Sequence, residues 1–127
     1  MPSYAHNGDA GLDVYSAEEK KIASGKMERV RTGIAIAIPH GFAGIVKDKS
    51  GMALQGMHCL AGVIDSGFRG ELVILAINLA EKEIEIRKGQ KIAQILIQPV
   101  SVVSVREAEE LDITERDTGG WGSSGTE

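Results

Sequence analysis

Five short stretches of this 127-residue chain carry residue types that scaffolds seldom need. In "AGVIDSGFRGEL", 61–72, Asp65 follows the apolar pair Val63 and Ile64 and precedes Phe68 and Arg69. A carboxylate at the end of an apolar strand can be held desolvated and in place as a general base. The plainer reading is a β-turn, Asp65-Ser66-Gly67, with a solvated aspartate. "KDKSGMA", 47–53, sets the cation Lys49 before Ser50 and Gly51 at the start of a helical candidate. Unpaired N–H groups at such a start favour an anion, and glycine lets it come close. A simple serine N-cap fits the same residues.

"GDAGLDVYSA", 8–17, places Asp9 and Asp13 among small residues, as either a ligand-facing pair or an Asx turn. In "KGQKIAQIL", 88–96, Gln94 interrupts an apolar alternation, so its amide is either on an exposed edge or aimed at a ligand. The chain ends in "RDTGGWGSSG", 116–125, with Arg116, the sole tryptophan Trp121, and the hydroxyls of Ser123 and Ser124 flanking Gly122. Glycines can fold a backbone around phosphate oxygens, an arginine fork can grip them, and a flat ring can cover a base. A disordered glycine-rich end is the competing reading.

The elements that must position these groups read as strands. Residues 30–38 put Ile34, Ile36 and Ile38 at period two before Pro39. Further runs fall at 44–47, 71–79, 83–87, 91–97 and 100–105. Residues 50–57 predict about two turns of helix, and 106–111 a strand-like or helical scrap. Many short strands with glycine turns point to an all-β sandwich, jelly roll or barrel with one short helix.

Length allows one domain with a real core. The net charge of −4 argues against a nucleic-acid polymer as partner, though not against a small anion held by a few local cations. No apolar run is long enough to span a membrane. The single cysteine, Cys59, excludes an internal disulfide and fits a reducing, cytoplasmic setting. His6, His40 and His58 lie far apart and give little reason for a zinc site.

Taken in order, "AGLDVYSA", "DKSGMA", "GVIDSGFRGE", "GQKIAQIL" and "RDTGGWGSSG" resemble the five motifs of the trimeric all-β dUTPases, over nearly the whole chain. The resemblance implies a jelly-roll domain at 1–115 and a mobile C-terminal arm at 116–127 that closes over bound nucleotide. It also implies a homotrimer whose sites are shared. The first, second and fourth motifs, the third, and the fifth reach each site from different subunits. It implies hydrolysis of dUTP to dUMP and pyrophosphate, with Asp65 activating water for attack on the α-phosphorus. Phe68 would pack beneath the deoxyribose. The segment Cys59 to Asp65, as a hairpin including Gly62, Val63 and Ile64, would read uracil through its main chain. Lys49, Ser50, Gly51 and Gln94 match phosphate- or water-contacting positions. Arg116, Gly122, Ser123 and Ser124 match the γ-phosphate clamp, and Trp121 stands where a ring stacks on uracil. Asp13 would steady the water shell of Mg²⁺, itself chelated mainly by the triphosphate.

The chain departs from the family pattern at several places. Lys49 replaces a usual arginine, Asp48 a frequent proline and Asp117 a common glycine. Asp48 would weaken phosphate binding unless its carboxylate faces away. The first motif begins so early that the strand usually preceding it is expected to be missing. Two other readings fit parts of the pattern: a dCTP deaminase of the same fold, and a nucleotide-dependent regulatory protein whose arm closure signals to a partner. A plain jelly-roll interaction module would have no reason to carry all five stretches.

Overall fold

A computed structural model describes residues 1–121 and 123. Among these residues run nine strands: β1 (Leu12–Tyr15), β2 (Lys20–Ile22), β3 (Met27–Arg31), β4 (Phe42–Asp48), β5 (Met57–Leu60), β6 (Val63–Ile64), β7 (Val73–Asn78), β8 (Ile84–Ile86) and β9 (Lys91–Pro99). One helical turn, α1 (Ser50–Ala53), joins β4 to β5. The strands form a four-stranded sheet ordered β1-β9-β4-β6, a two-stranded β2-β8 ribbon and a three-stranded sheet ordered β3-β7-β5. Every pairing is antiparallel. The inner faces meet in one core. Val14, Val46 and Ile95 come from the first sheet, Ile22, Ile84 and Ile86 from the ribbon, and Val30, Ile74 and Met57 from the third sheet. Full burial of such side chains contributes about 1.5–3 kcal/mol each, before conformational entropy is set against it. The architecture is the expected all-β, jelly-roll-like one, with a single short helix.

Five local expectations are corrected. The strand predicted over 30–38 ends at Arg31, because Gly33 turns the chain out of the ladder with φ +68°. Ile34, Ile36 and Ile38 still point inward alternately, so their period reflects packing without pairing. The helix is half its predicted length, and its N-cap is Lys49 with no side-chain bond, which removes the serine-cap reading. The segment 59–65 is no hairpin: β5 pairs with β7 and β6 with β4, so the chain changes sheets between them. Residues 100–105 form no strand. Pro99 ends β9, the Val100 N–H reaches Gly41 O at 2.9 Å, and Val102, Val103 and Val105 then stand exposed. Residues 106–111 likewise form neither strand nor helix.

Candidate active site

Pairing brings three of the five stretches together. In the β1–β9 ladder Asp13 lies opposite Gln94, and in the β4–β9 ladder Gln94 lies opposite Lys47, just before Lys49 and Ser50. Asp9, Gly11, Asp13, Lys49, Ser50 and Gln94 thereby line one polar cavity of about 240 Å³. Gln94 is on a central strand, so the edge-exposed reading of its amide falls away. Its Nε2 donates to Asp48 O at 2.8 Å. Gly11 lies against this amide so closely that any Cβ would collide with Gln94 Oε1. A larger depression of about 540 Å³ runs past Gln55, Glu85 and Arg87, but it gathers none of the candidate residues.

Asp13 is the electrostatic centre of this cavity. It is 2% exposed, and Lys49 Nζ donates to its Oδ1 at 2.5 Å. Lys91 Nζ lies 2.7 Å from Oδ2, in an ion pair off the ideal hydrogen-bond direction. The bonds from Lys49 and then Lys91 hold the Asp13 carboxyl below its ordinary range, against the opposing effect of burial. A carboxyl depressed in the folded state stabilises above its unfolded pKa of about 3.9, and that contribution disappears as pH falls through the lower folded value. Losing one partner of a fully buried pair is worth about 3–5 kcal/mol. Both lysines here reach solvent, so Asp13→Asn is expected to lower stability by only about 1–3 kcal/mol at pH 7. Urea unfolding between pH 7 and 3 checks this: the gap to wild type should narrow below about pH 4, as the wild-type carboxylate protonates.

The third stretch lies where the chain crosses between sheets. Ala61 and Gly62 carry φ of +57° and +96°, and Gly62 O accepts the Val46 N–H at 2.8 Å. A Cβ at Gly62 would press on Val46 O at 3.1 Å. Val63 is exposed and Ile64 half-buried. Asp65 follows as an exposed residue at the head of a turn closed by Phe68 N–H to Asp65 O, 3.0 Å. The turn reading therefore holds, and the desolvated setting expected for Asp65 is not supplied by this single chain. Phe68, partly exposed, rests its ring against Gly70.

In the last stretch Arg116 Nε donates to Gly119 O at 2.9 Å, and Ser123 N–H to Gly120 O at 2.7 Å. Arg116, Gly119 and Ser123 share a separate depression. Trp121 is as exposed as a free side chain, 108% by relative area. Gly122 and Ser124 lie outside the described residues. Within one chain the candidates thus fall into three groups: Asp13, Lys49, Ser50 and Gln94; Asp65 and Phe68; Arg116 and Ser123.

Two residues of the site give no signal in the sequence. Lys91 reaches Asp13 only because β9 pairs with β1, where Tyr15 stands opposite it. His58 Nδ1 lies 2.7 Å from Asp48 Oδ2, and the Cys59 N–H donates to Asp48 Oδ1 at 2.7 Å. The Asp48 carboxylate thus faces away from the cavity, towards β5. Burial raises its pKa, but the His58 and Cys59 bonds outweigh that and leave it lowered. Burial, with the Asp48 charge beside it, pushes the Cys59 thiol up to about 12, so this thiol is no nucleophile at neutral pH.

The family model for dUTPase matches residues 1–125. A deoxyuridine 5'-triphosphate nucleotidohydrolase of Clostridium kluyveri is 46% identical, over 99% of this chain and 90% of the relative. One of Mycobacterium bovis is 43% identical, over 98% and 87%. A Staphylococcus bacteriophage 80alpha dUTPase solved with dUpNHpp superposes with a TM-score of 0.92 at 28% identity, covering 98% of this chain and 91% of that one. Another, from phage phi11 of S. aureus, whose structure concerns coordination of a structural Mg(II) ion, gives 0.81 at 26% identity over 89% and 92%. Motif order, sheet topology and these likenesses agree, and the chain belongs to the dUTPase family.

Proposed function

We propose that this protein hydrolyses dUTP to dUMP and pyrophosphate. The observation that carries the reading is the convergence of the first, second and fourth motifs on one cation-bearing cavity, in a chain matched as dUTPase over residues 1–125. Asp65 takes a proton from water as its oxygen bonds to the α-phosphorus. The bond from that phosphorus to the bridging oxygen breaks, and pyrophosphate leaves with the electron pair. Lys49, Ser50, Gly51 and Gln94 hold phosphate oxygens and water, and Phe68 lies under the deoxyribose. The main chain of Cys59, Gly62, Val63 and Ile64 reads uracil. When a phosphate enters, Lys49 turns to it from Asp13, while Lys91 keeps the buried carboxylate compensated. Without Lys91 that swing would leave the buried Asp13 carboxylate with no cation beside it.

The donors do not fit a resident metal. Among the described residues no three His, Cys, Asp or Glu side chains gather to hold one, and Asp13 already faces two ammoniums. Mg²⁺ would instead be held by the oxygens of the triphosphate, which suit it, and would offset their charge. Any indirect support from Asp13 through water requires Lys49 to have turned away.

The active unit is a homotrimer. Asp13, Lys49, Ser50 and Gln94 line one cavity and Arg116 and Ser123 another, and Val102, Val103, Val105, Leu111 and Ile113 are exposed on a segment with no strand beside it among the described residues. Such a segment needs a neighbouring sheet edge to cover it. The region 116–127 then acts as an arm that brings Arg116, Ser123 and Ser124 to the γ-phosphate, and Trp121 to the base, of a site on another subunit. The setting is intracellular, in keeping with a lone cysteine, Cys59, that has no partner for a disulfide within the chain.

Incubation with Mg²⁺ and each deoxynucleoside triphosphate tests the activity. Pyrophosphate from dUTP alone is expected; ammonia from dCTP would make the chain a deaminase, and no product from either would leave a binding protein. Light scattering of the active species should give three chains, and an active monomer would overturn the trimer.

A further inference from the structure

Asp48 is the last residue of β4, in the four-stranded sheet, while β5 is the free edge of the three-stranded one. An edge strand leaves every second N–H without a ladder partner. Asp48 Oδ1 takes one of these, the Cys59 N–H, and Oδ2 meets His58 on the same strand. The Asp48 carbonyl meanwhile accepts Gln94 Nε2, in the wall of the cavity. One residue therefore stitches two sheets together beside the point where the chain passes between them. The segment after Cys59 is fixed at its far end by Val46 N–H to Gly62 O and by the β4–β6 ladder. At its near end Asp48 holds it, through bonds strengthened by charge.

We infer that Asp48 is a positioning residue for uracil discrimination: it fixes the main chain that follows Cys59 relative to Lys49, Ser50 and Gln94. The inference rests on the reading of that segment as the one facing the base. Main-chain recognition demands placement to within a fraction of an ångström, since hydrogen bonds weaken steeply with distance and angle. Asp48 never touches the nucleotide in this arrangement. In the proposed trimer the two parts it links face neighbouring sites, so Asp48 acts on discrimination by holding the uracil-reading main chain rigidly against the sheet of its own subunit, from which the neighbouring site takes its position.

The test is the ratio of kcat/KM for dUTP to kcat/KM for dCTP and for dTTP, measured as pyrophosphate release. Asp48→Ala should lower this ratio about tenfold, the value of one hydrogen bond. Asp48→Asn keeps an oxygen for the Cys59 N–H and should stay within about threefold of wild type. A purely structural role would reduce all substrates alike. An unchanged ratio in folded Asp48→Ala, or an equal fall in Asp48→Asn, overturns the inference. Should Asp48→Ala not fold, His58→Ala serves. It frees the carboxylate to rotate and should lower the ratio about threefold, and no change there also overturns the inference. Gly62→Ala separates the two claims. A ratio lost there but intact in Asp48→Ala removes the link and leaves the main-chain reading standing, whereas a ratio intact in both removes the reading and the link with it.

Discussion

Asp65→Asn should bind the non-hydrolysable analogue dUpNHpp as wild type does and turn over dUTP roughly 10²–10⁴-fold more slowly, the usual weight of a general base. The amide keeps the shape of the turn, because the bond that closes it runs from Phe68 N–H to the Asp65 main-chain oxygen. What it loses is the capacity to accept a proton. In the single chain Asp65 is exposed, so in the proposed trimer the water-poor setting that makes a base effective would come from the nucleotide and a second subunit. Single-turnover rates at saturating dUTP read the loss directly. Turnover within a few-fold of wild type would remove Asp65 from the mechanism.

The second large effect concerns the arm. Removing residues 116–127 should abolish most of kcat/KM, because Arg116, Ser123 and Trp121 go together. Trp121→Ala should weaken productive binding about ten- to a hundredfold, since stacking on a base is worth roughly 1–3 kcal/mol. Trp121→Phe should recover most of that loss. As the only tryptophan, and one with no cover of its own, Trp121 should change its fluorescence when dUpNHpp binds. The expected order is Phe mildest, Ala intermediate, deletion worst. Silent fluorescence with normal turnover in Trp121→Ala would make the segment a bystander.

Apolar and alternating runs located β4, β7, β8 and β9 but not β1, β2 or β5; such runs are imposed by burial and need no knowledge of the partner strand. The same signal misled at Ile34–Ile38, where burial alternates although Gly33 has already broken the ladder. At 100–105 it pointed to a strand that one chain cannot pair, a question periodicity alone does not address. Within the site, Asp13, Lys49, Ser50 and Gln94 could be listed from sequence, and their meeting follows from β-register. Lys91 and His58 could not. Lys91 matters through the residue across the ladder, and His58 through a carboxylate ten positions earlier. Contacts of that kind become visible only once strand order is known. The question Asp48 posed, whether its charge opposes phosphate, was likewise decided by the direction of one side chain.

The bare run Val100–Val105 also bears on aggregation of the newly made chain. "VSVVSV" is six residues of strong β-preference with no charge and no proline, the composition of segments that stack into cross-β fibrils. In the proposed trimer a partner would cover it, and each newly made chain would present it in the open until then. The residues that follow answer this hazard: Arg106, Glu107, Glu109, Glu110 and Asp112 place like and unlike charges where a growing stack would have to bury them. They act as gatekeepers. Replacing the acidic ones with their amides should, in the proposed trimer, shift the competition between assembly and aggregation, most of all at high expression.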